Sequence, residues 1–156
     1  MAELKARLRA DLTAAMKAKE ATRLATLRMA LAALTTEEVA GSVARELSDD
    51  EVLKVLAREV KKRNEAAEAF ANAGRKEQAE AEVAEAEVLK EYLPTQLDEA
   101  ELAALVDQAV AEVQAELGDK PGPKQMGQVM KLANAKVAGR AEGGRVAGLV
   151  KSKLMN

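Results

Sequence analysis

Cysteine and histidine are absent from this 156-residue sequence, and its serines are Ser42, Ser48 and Ser152. A Ser-His-Asp or Cys-His nucleophile therefore cannot be assembled. Ser48 opens the run Ser48-Asp49-Asp50-Glu51, where its hydroxyl is placed to cap a helix and Glu51 to reach back to it. Ser152 lies between Lys151 and Lys153, but side chains one position apart on a helix diverge, which argues against Ser-Lys chemistry. The densest carboxylates, Glu80, Glu82, Glu85, Glu87 and Glu91, read as a solvated helix face, with weak divalent-cation binding as the alternative. No catalytic residue, no cofactor and no metal-ligand set is expected.

The basic residues are organised more suggestively. Residues 1–117 carry 16 basic and 24 acidic side chains, net −8, whereas residues 118–156 carry 8 and 2, net +6. Those eight are Lys120, Lys124, Lys131, Lys136, Arg140, Arg145, Lys151 and Lys153. Such a split can steer a polyanion to one end of a molecule. It is equally compatible with the tail docking on the acidic stretch from Lys76 to Leu117. Phe70 and Tyr92 are the only aromatics, so base stacking is an improbable mode, while phosphate contact through Lys, Arg and helix N-termini stays open. Two glycine-bearing approaches to helices fit it: Pro121-Gly122-Pro123 before Lys124, and Gly143-Gly144 before Arg145. The same glycines also suit plain tight corners. A second basic run, Lys54, Arg58, Lys61, Lys62 and Arg63, is interleaved with Glu51, Glu59 and Glu65 and reads chiefly as a salt-laced helix surface.

These residues have to be positioned by helices. A core of Leu, Val, Met and Ala with few aromatics suits helix packing, and the fold class expected is all-α. Leu4, Leu8, Leu12 and Met16 recur every four residues over a helix from Ala2 to Ala18, and Leu24, Leu27, Leu31 and Leu34 mark a second. The stretch from Thr35 to Leu47 breaks the rhythm. A third helix runs from the Ser48 cap to about Ala73 with Gly74 as its C′ residue, and a fourth from about Arg75 to Leu93 carries Ala79, Val83, Ala86 and Leu89. Pro94 marks a boundary between an N-terminal four-helix bundle-like domain, 1–94, and a small three-helix C-terminal tail domain, 95–156. In the tail, a capping box from Asp98 to Glu101 starts a helix that ends at Gly118. A short helix near Lys124 to Asn134, with Met126, Val129, Met130 and Ala133 inward, and a last helix carrying Val146, Leu149, Val150 and Leu154 complete the count.

Several runs, taken in order, resemble the GatB/YqeY family. They are Leu24-Ala25-Thr26-Leu27-Arg28-Met29, Leu47-Ser48-Asp49-Asp50-Glu51-Val52-Leu53, Glu59-Val60-Lys61-Lys62-Arg63, Phe70-Ala71-Asn72-Ala73-Gly74-Arg75 and Glu91-Tyr92-Leu93-Pro94. Met126-Gly127-Gln128-Val129-Met130-Lys131, Gly139-Arg140-Ala141 and Val150-Lys151-Ser152-Lys153-Leu154 are similar to the tail shared with the GatB subunit of tRNA-dependent amidotransferase. The resemblance implies a four-helix bundle followed by a three-helix tail, and a tail that contacts tRNA. The amide-transfer chemistry of GatB sits in a separate catalytic domain that this chain is too short to contain. The expectation is a tRNA-binding accessory module, with Lys124, Lys131, Lys136, Arg140, Arg145 and Lys151 as phosphate contacts. An aminoacyl-tRNA synthetase or amidotransferase subunits are the protein partners it implies. The alternatives are a part of a glutamine-dependent tRNA amidotransferase activity, and a protein-binding adaptor whose basic tail meets an acidic partner. No run approaches the ~20 apolar residues of a membrane span, and Met1 to Leu12 lacks a signal-peptide core. A cytoplasmic, monomeric protein is expected.

Overall fold

The computed structural model describes residues 2–155 and contains, among them, seven α-helices, one 3-10 turn and no strand. Contacts group the chain into two compact units, 1–93 and 94–156.

The first unit holds α1 (Glu3–Ala18), α2 (Ala21–Glu38), α3 (Asp49–Asn72) and α4 (Lys76–Lys90). Helix α3 begins at the capping box expected from the sequence: the Glu51 amide donates to Ser48 Oγ at 3.2 Å, and the Ser48 amide donates to Glu51 Oε1 at 3.3 Å. The hydrogen bond from Arg45, then that from the Ser48 amide, pull the Glu51 carboxyl down to about 2. Gly74 follows the C-cap residue Ala73 of α3, and its φ of 75° lies in the left-handed region where a Cβ is strained. There the Arg75 amide donates to Phe70 O at 2.8 Å and the Gly74 amide to Ala71 O at 3.1 Å, satisfying two carbonyls at the helix end. Leu8, Ala15, Leu27, Ala30, Leu34, Val52, Val55, Leu56, Ala86 and Leu89 form the core.

Three expectations change in this unit. Met16 is 51% exposed and Leu4 and Leu12 are only half-buried, because a strict four-residue repeat drifts about 40° round the helix at each step. Ala15, seven residues after Leu8, takes the inward place. In α4 Val83 is exposed, while Ala79, Ala86 and Leu89 are buried. Helix α2 continues to Glu38: the Thr35 and Thr36 hydroxyls donate to the carbonyls of Leu31 and Ala32, so these β-branched residues stay helical.

The second unit holds α5 (Glu99–Leu117), the 3-10 turn (Pro123–Gln125), α6 (Met126–Val137) and α7 (Gly143–Met155). Helix α5 starts at the second capping box, with the Glu101 amide donating to Asp98 Oδ1 at 2.7 Å and the Asp98 amide donating to Glu101 Oε2 at 3.0 Å. It stops at Gly118, φ 75°. Leu102, Val106, Ala109 and Val113 of α5, Val129, Ala133 and Val137 of α6, and Val146, Val150 and Leu154 of α7 meet in one core. Met126 and Met130 are half-buried against it. The Leu97 amide donates to Arg140 O at 2.8 Å, fastening the segment before α5 to the turn between α6 and α7.

Two boundaries differ from those expected. Pro123 and Lys124 belong to the 3-10 turn, and α6 starts at Met126 and runs to Val137 rather than Asn134. Gly143 and Gly144 form the first turn of α7 instead of a loop ahead of it. No helix among the described residues is long and apolar enough to cross a membrane.

Candidate nucleic-acid interface

Unit 94–156 contains eight basic and eight acidic residues, and so is electroneutral. The apparent +6 excess of the tail arose from a cut that separated α5 from the helices it packs on. Helix α5 carries five carboxylates and no basic residue, whereas α6 and α7 carry basic residues and no acidic one. Charge is thus segregated by helix within one small unit.

The six residues expected to contact phosphate divide evenly. Lys136 Nζ pairs with Glu112 Oε1 at 2.7 Å, and Arg145 Nη2 with Glu99 Oε1 at 3.1 Å. Arg140 donates from Nε to Val137 O at 3.0 Å and from Nη2 to Lys136 O at 2.9 Å. Its guanidinium therefore caps the carbonyl end of α6, where a cation also complements the helix dipole. Arg140 is in place chiefly to hold the turn, with its backbone oxygen taken by Leu97. By contrast Lys124, Lys131 and Lys151 are exposed, and no hydrogen bond or ion pair engages their ammonium groups among the described residues. They sit on the 3-10 turn, α6 and α7, three elements that pack on one another. Lys153, outside the six, pairs with Asp107 Oδ1 at 2.9 Å.

The helix N-termini are less available than the glycines implied. Gln125 Oε1 accepts the Gly122 amide at 2.7 Å, closing the entry to the 3-10 turn. At α7 the Glu142 carboxylate lies 3.5 Å from where a Cβ on Gly144 would sit, so a negative group already stands at that end.

The other clusters of the sequence resolve into structural contacts. Arg63 of α3 is 6% exposed; Nη1 donates to Glu59 Oε2 at 2.7 Å and to Glu59 O at 3.0 Å, Nε lies 3.3 Å from Glu85 Oε2 of α4, and Nη2 approaches Met29 Sδ of α2 at 3.8 Å. Burial alone would raise the Glu59 carboxyl; the Arg63 hydrogen bond and the Lys62 and Arg63 charges hold it below its ordinary value. Arg58 pairs with Glu37 at 3.1 Å and Lys62 with Glu59 at 3.4 Å, so this run is the salt-laced surface expected. Of the carboxylates from Glu80 to Glu91, Glu85 faces Arg63, Glu87 pairs with Lys90 and Glu91 with Arg23. No group that could hold a metal ion occurs among the described residues.

Two features escaped the sequence reading. Tyr92 OH donates to Asp11 Oδ2 at 2.5 Å, while the Arg7 guanidinium lies 4.6 Å from its ring centroid and Arg23 Nη2 donates to its oxygen at 3.4 Å. Burial, then the Asp11 hydrogen bond, push the phenol up to about 12. A shallow cavity of about 420 Å³ lies between α1, the end of α2 and the segment after it, lined by Lys5, Arg9, Glu38, Val39, Arg45 and Glu46, with the Lys5–Glu38 ion pair in its wall. A lone tyrosine and a scattered set of charges carry no spacing signal. The pairing of α5 with the tail had one: no basic residue occurs between Lys90 and Lys120.

Comparison with curated proteins gave no match. The family described as Yqey-like protein matches residues 5–154, nearly the whole chain, and the protein belongs to that family.

Proposed function

We propose that this protein is a tRNA-binding accessory protein whose second unit grips the phosphate backbone. The observation that carries the reading is the set of three exposed lysines, Lys124, Lys131 and Lys151, unpaired among the described residues, on mutually packed elements whose helices, α6 and α7, bear no acidic side chain. Compact ammonium groups on flexible stems suit phosphate oxygens and read no sequence. With Phe70 and Tyr92 as the only aromatics, and Tyr92 buried in the first unit, stacking on bases has little to work with. Binding is then moderate, salt-sensitive and similar for many tRNAs. The family resemblance of the tail to a tRNA-contacting module supports the choice of tRNA over other polyanions.

The test is recovery of the protein from its own cells at low salt, followed by sequencing of the RNA released. Enrichment of tRNA over ribosomal and messenger RNA is the expected result. Recovery of an acidic protein with no RNA above background would instead establish the adaptor reading. An amidotransferase role has less to support it: cysteine is absent, and Ser48 is occupied as a helix cap.

A further inference from the structure

The cations of α6 and α7 do not all face solvent unopposed. Three of them are held by three carboxylates spread along one helix: Glu99, Asp107 and Glu112 of α5 take Arg145, Lys153 and Lys136 at 3.1, 2.9 and 2.7 Å. Every one of these pairs is partly open to water, the carboxylate side chains being 81%, 54% and 50% exposed. Such pairs are weak and exchangeable, each favouring the closed arrangement by roughly two- to five-fold. We propose that α5 acts as an internal polyanion, its Glu99, Asp107 and Glu112 competing with a nucleic-acid backbone for Arg145, Lys153 and Lys136 and so setting the affinity of the surface.

The proposal rests on the polyanion-binding reading above and adds to it the class of ligand that can succeed. A single phosphate must displace a carboxylate that is tethered beside its cation at high effective concentration. A backbone offering several phosphates at once displaces several together, so the device discriminates against mononucleotides and favours long polyanions. Lys124, Lys131 and Lys151 make the first contact, and the three held cations join as their α5 partners are exchanged. Each exchange releases a carboxylate to water, where it is readily solvated because it was already half exposed or more.

A matched pair of variants separates this from the general field of the helix. Glu112→Gln and Glu116→Gln remove the same charge four residues apart on α5, but of the two only Glu112 holds a cation; Glu116 is exposed and has no such partner among the described residues. The full-length chain and both variants are titrated with unmodified tRNA at two salt concentrations, with helicity and thermal unfolding recorded for each. The expected result is that Glu112→Gln binds roughly two- to five-fold tighter than Glu116→Gln. The triple variant Glu99→Gln, Asp107→Asn, Glu112→Gln should bind about ten-fold or more tighter than the unaltered chain. Equal affinities for Glu112→Gln and Glu116→Gln, with tRNA bound normally by the unaltered chain, overturn the proposal and leave the binding reading intact. Failure of the unaltered chain and of the triple variant alike to bind overturns both.

Discussion

Removing the guanidinium of Arg63 tests how the first unit is held together. Arg63→Ala strands two carboxylates at a packed α3–α4 contact: Glu59, whose side chain is 14% exposed, and Glu85, 24% exposed. Breaking a buried ion pair by deleting one partner costs about 3–5 kcal/mol, and partial exposure of Glu85 lets water recover some of that. A loss of about 3 kcal/mol is expected, a large share of the ~5–15 kcal/mol typical of a folded protein. The pH dependence sharpens the test. Glu59 is held below its ordinary value of 4.5 in the folded state, so its contribution is present above that value and is lost as pH falls through the lower folded one. The difference between Arg63→Ala and the unaltered chain should therefore shrink toward about pH 3, where the stranded carboxyl is protonated in both folded and unfolded forms. Urea unfolding followed by circular dichroism at neutral and acid pH measures it through the midpoint at constant slope. A loss under about 1 kcal/mol at neutral pH, or one that does not diminish with acid, would refute the assignment of Arg63 as a buried tie.

Other substitutions probe separate parts. Tyr92 titrates near 12 when folded against about 10 unfolded, so the folded form holds its proton longer. Stability is therefore lost as pH rises from the unfolded value through the folded one. Tyr92→Phe should flatten that alkaline loss, by up to about 2 kcal/mol, in thermal melts taken between the two values. Asp98→Ala removes the α5 cap and should lower stability by about 1 kcal/mol in the same urea assay, with little effect if the box were incidental. Gly148 lies in the middle of α7, exposed, with nothing within 4 Å of an added Cβ, so Gly148→Ala should raise stability by about 0.5–1 kcal/mol.

What could be read from the sequence depended on how local the signal was. Both capping boxes and the Gly74 terminus are set by residues three to five apart, and each is found where expected. The inward side of α1 departs from the leucine spacing at Met16 because a four-residue repeat drifts round a 3.6-residue helix, and alanine carries too little hydrophobic contrast to mark Ala15 as the inward residue. The end of α2 was hidden by threonines, whose low helix propensity is offset once their hydroxyls bond the preceding turn. For the basic surface, composition gave the residues but not their company. Lys136, Arg145 and Lys153 meet carboxylates 24, 46 and 46 positions away in the chain, and no spacing rule reaches that far. Arg140 looked like one more cation until its guanidinium was found on the carbonyls of α6.

The central claim is best tested by the three lysines that have no partner among the described residues. Unmodified tRNA is titrated against the full-length chain and against the variant Lys124→Ala, Lys131→Ala, Lys151→Ala at about 50 and 200 mM salt. Neutralising three phosphates contributes a slope of about −2.1 to −2.7 in log affinity against log salt, or roughly 20- to 40-fold across that range. The account predicts that the variant keeps its fold, binds at least about ten-fold more weakly at low salt and loses that part of the slope. Unchanged affinity together with unchanged salt dependence would contradict it.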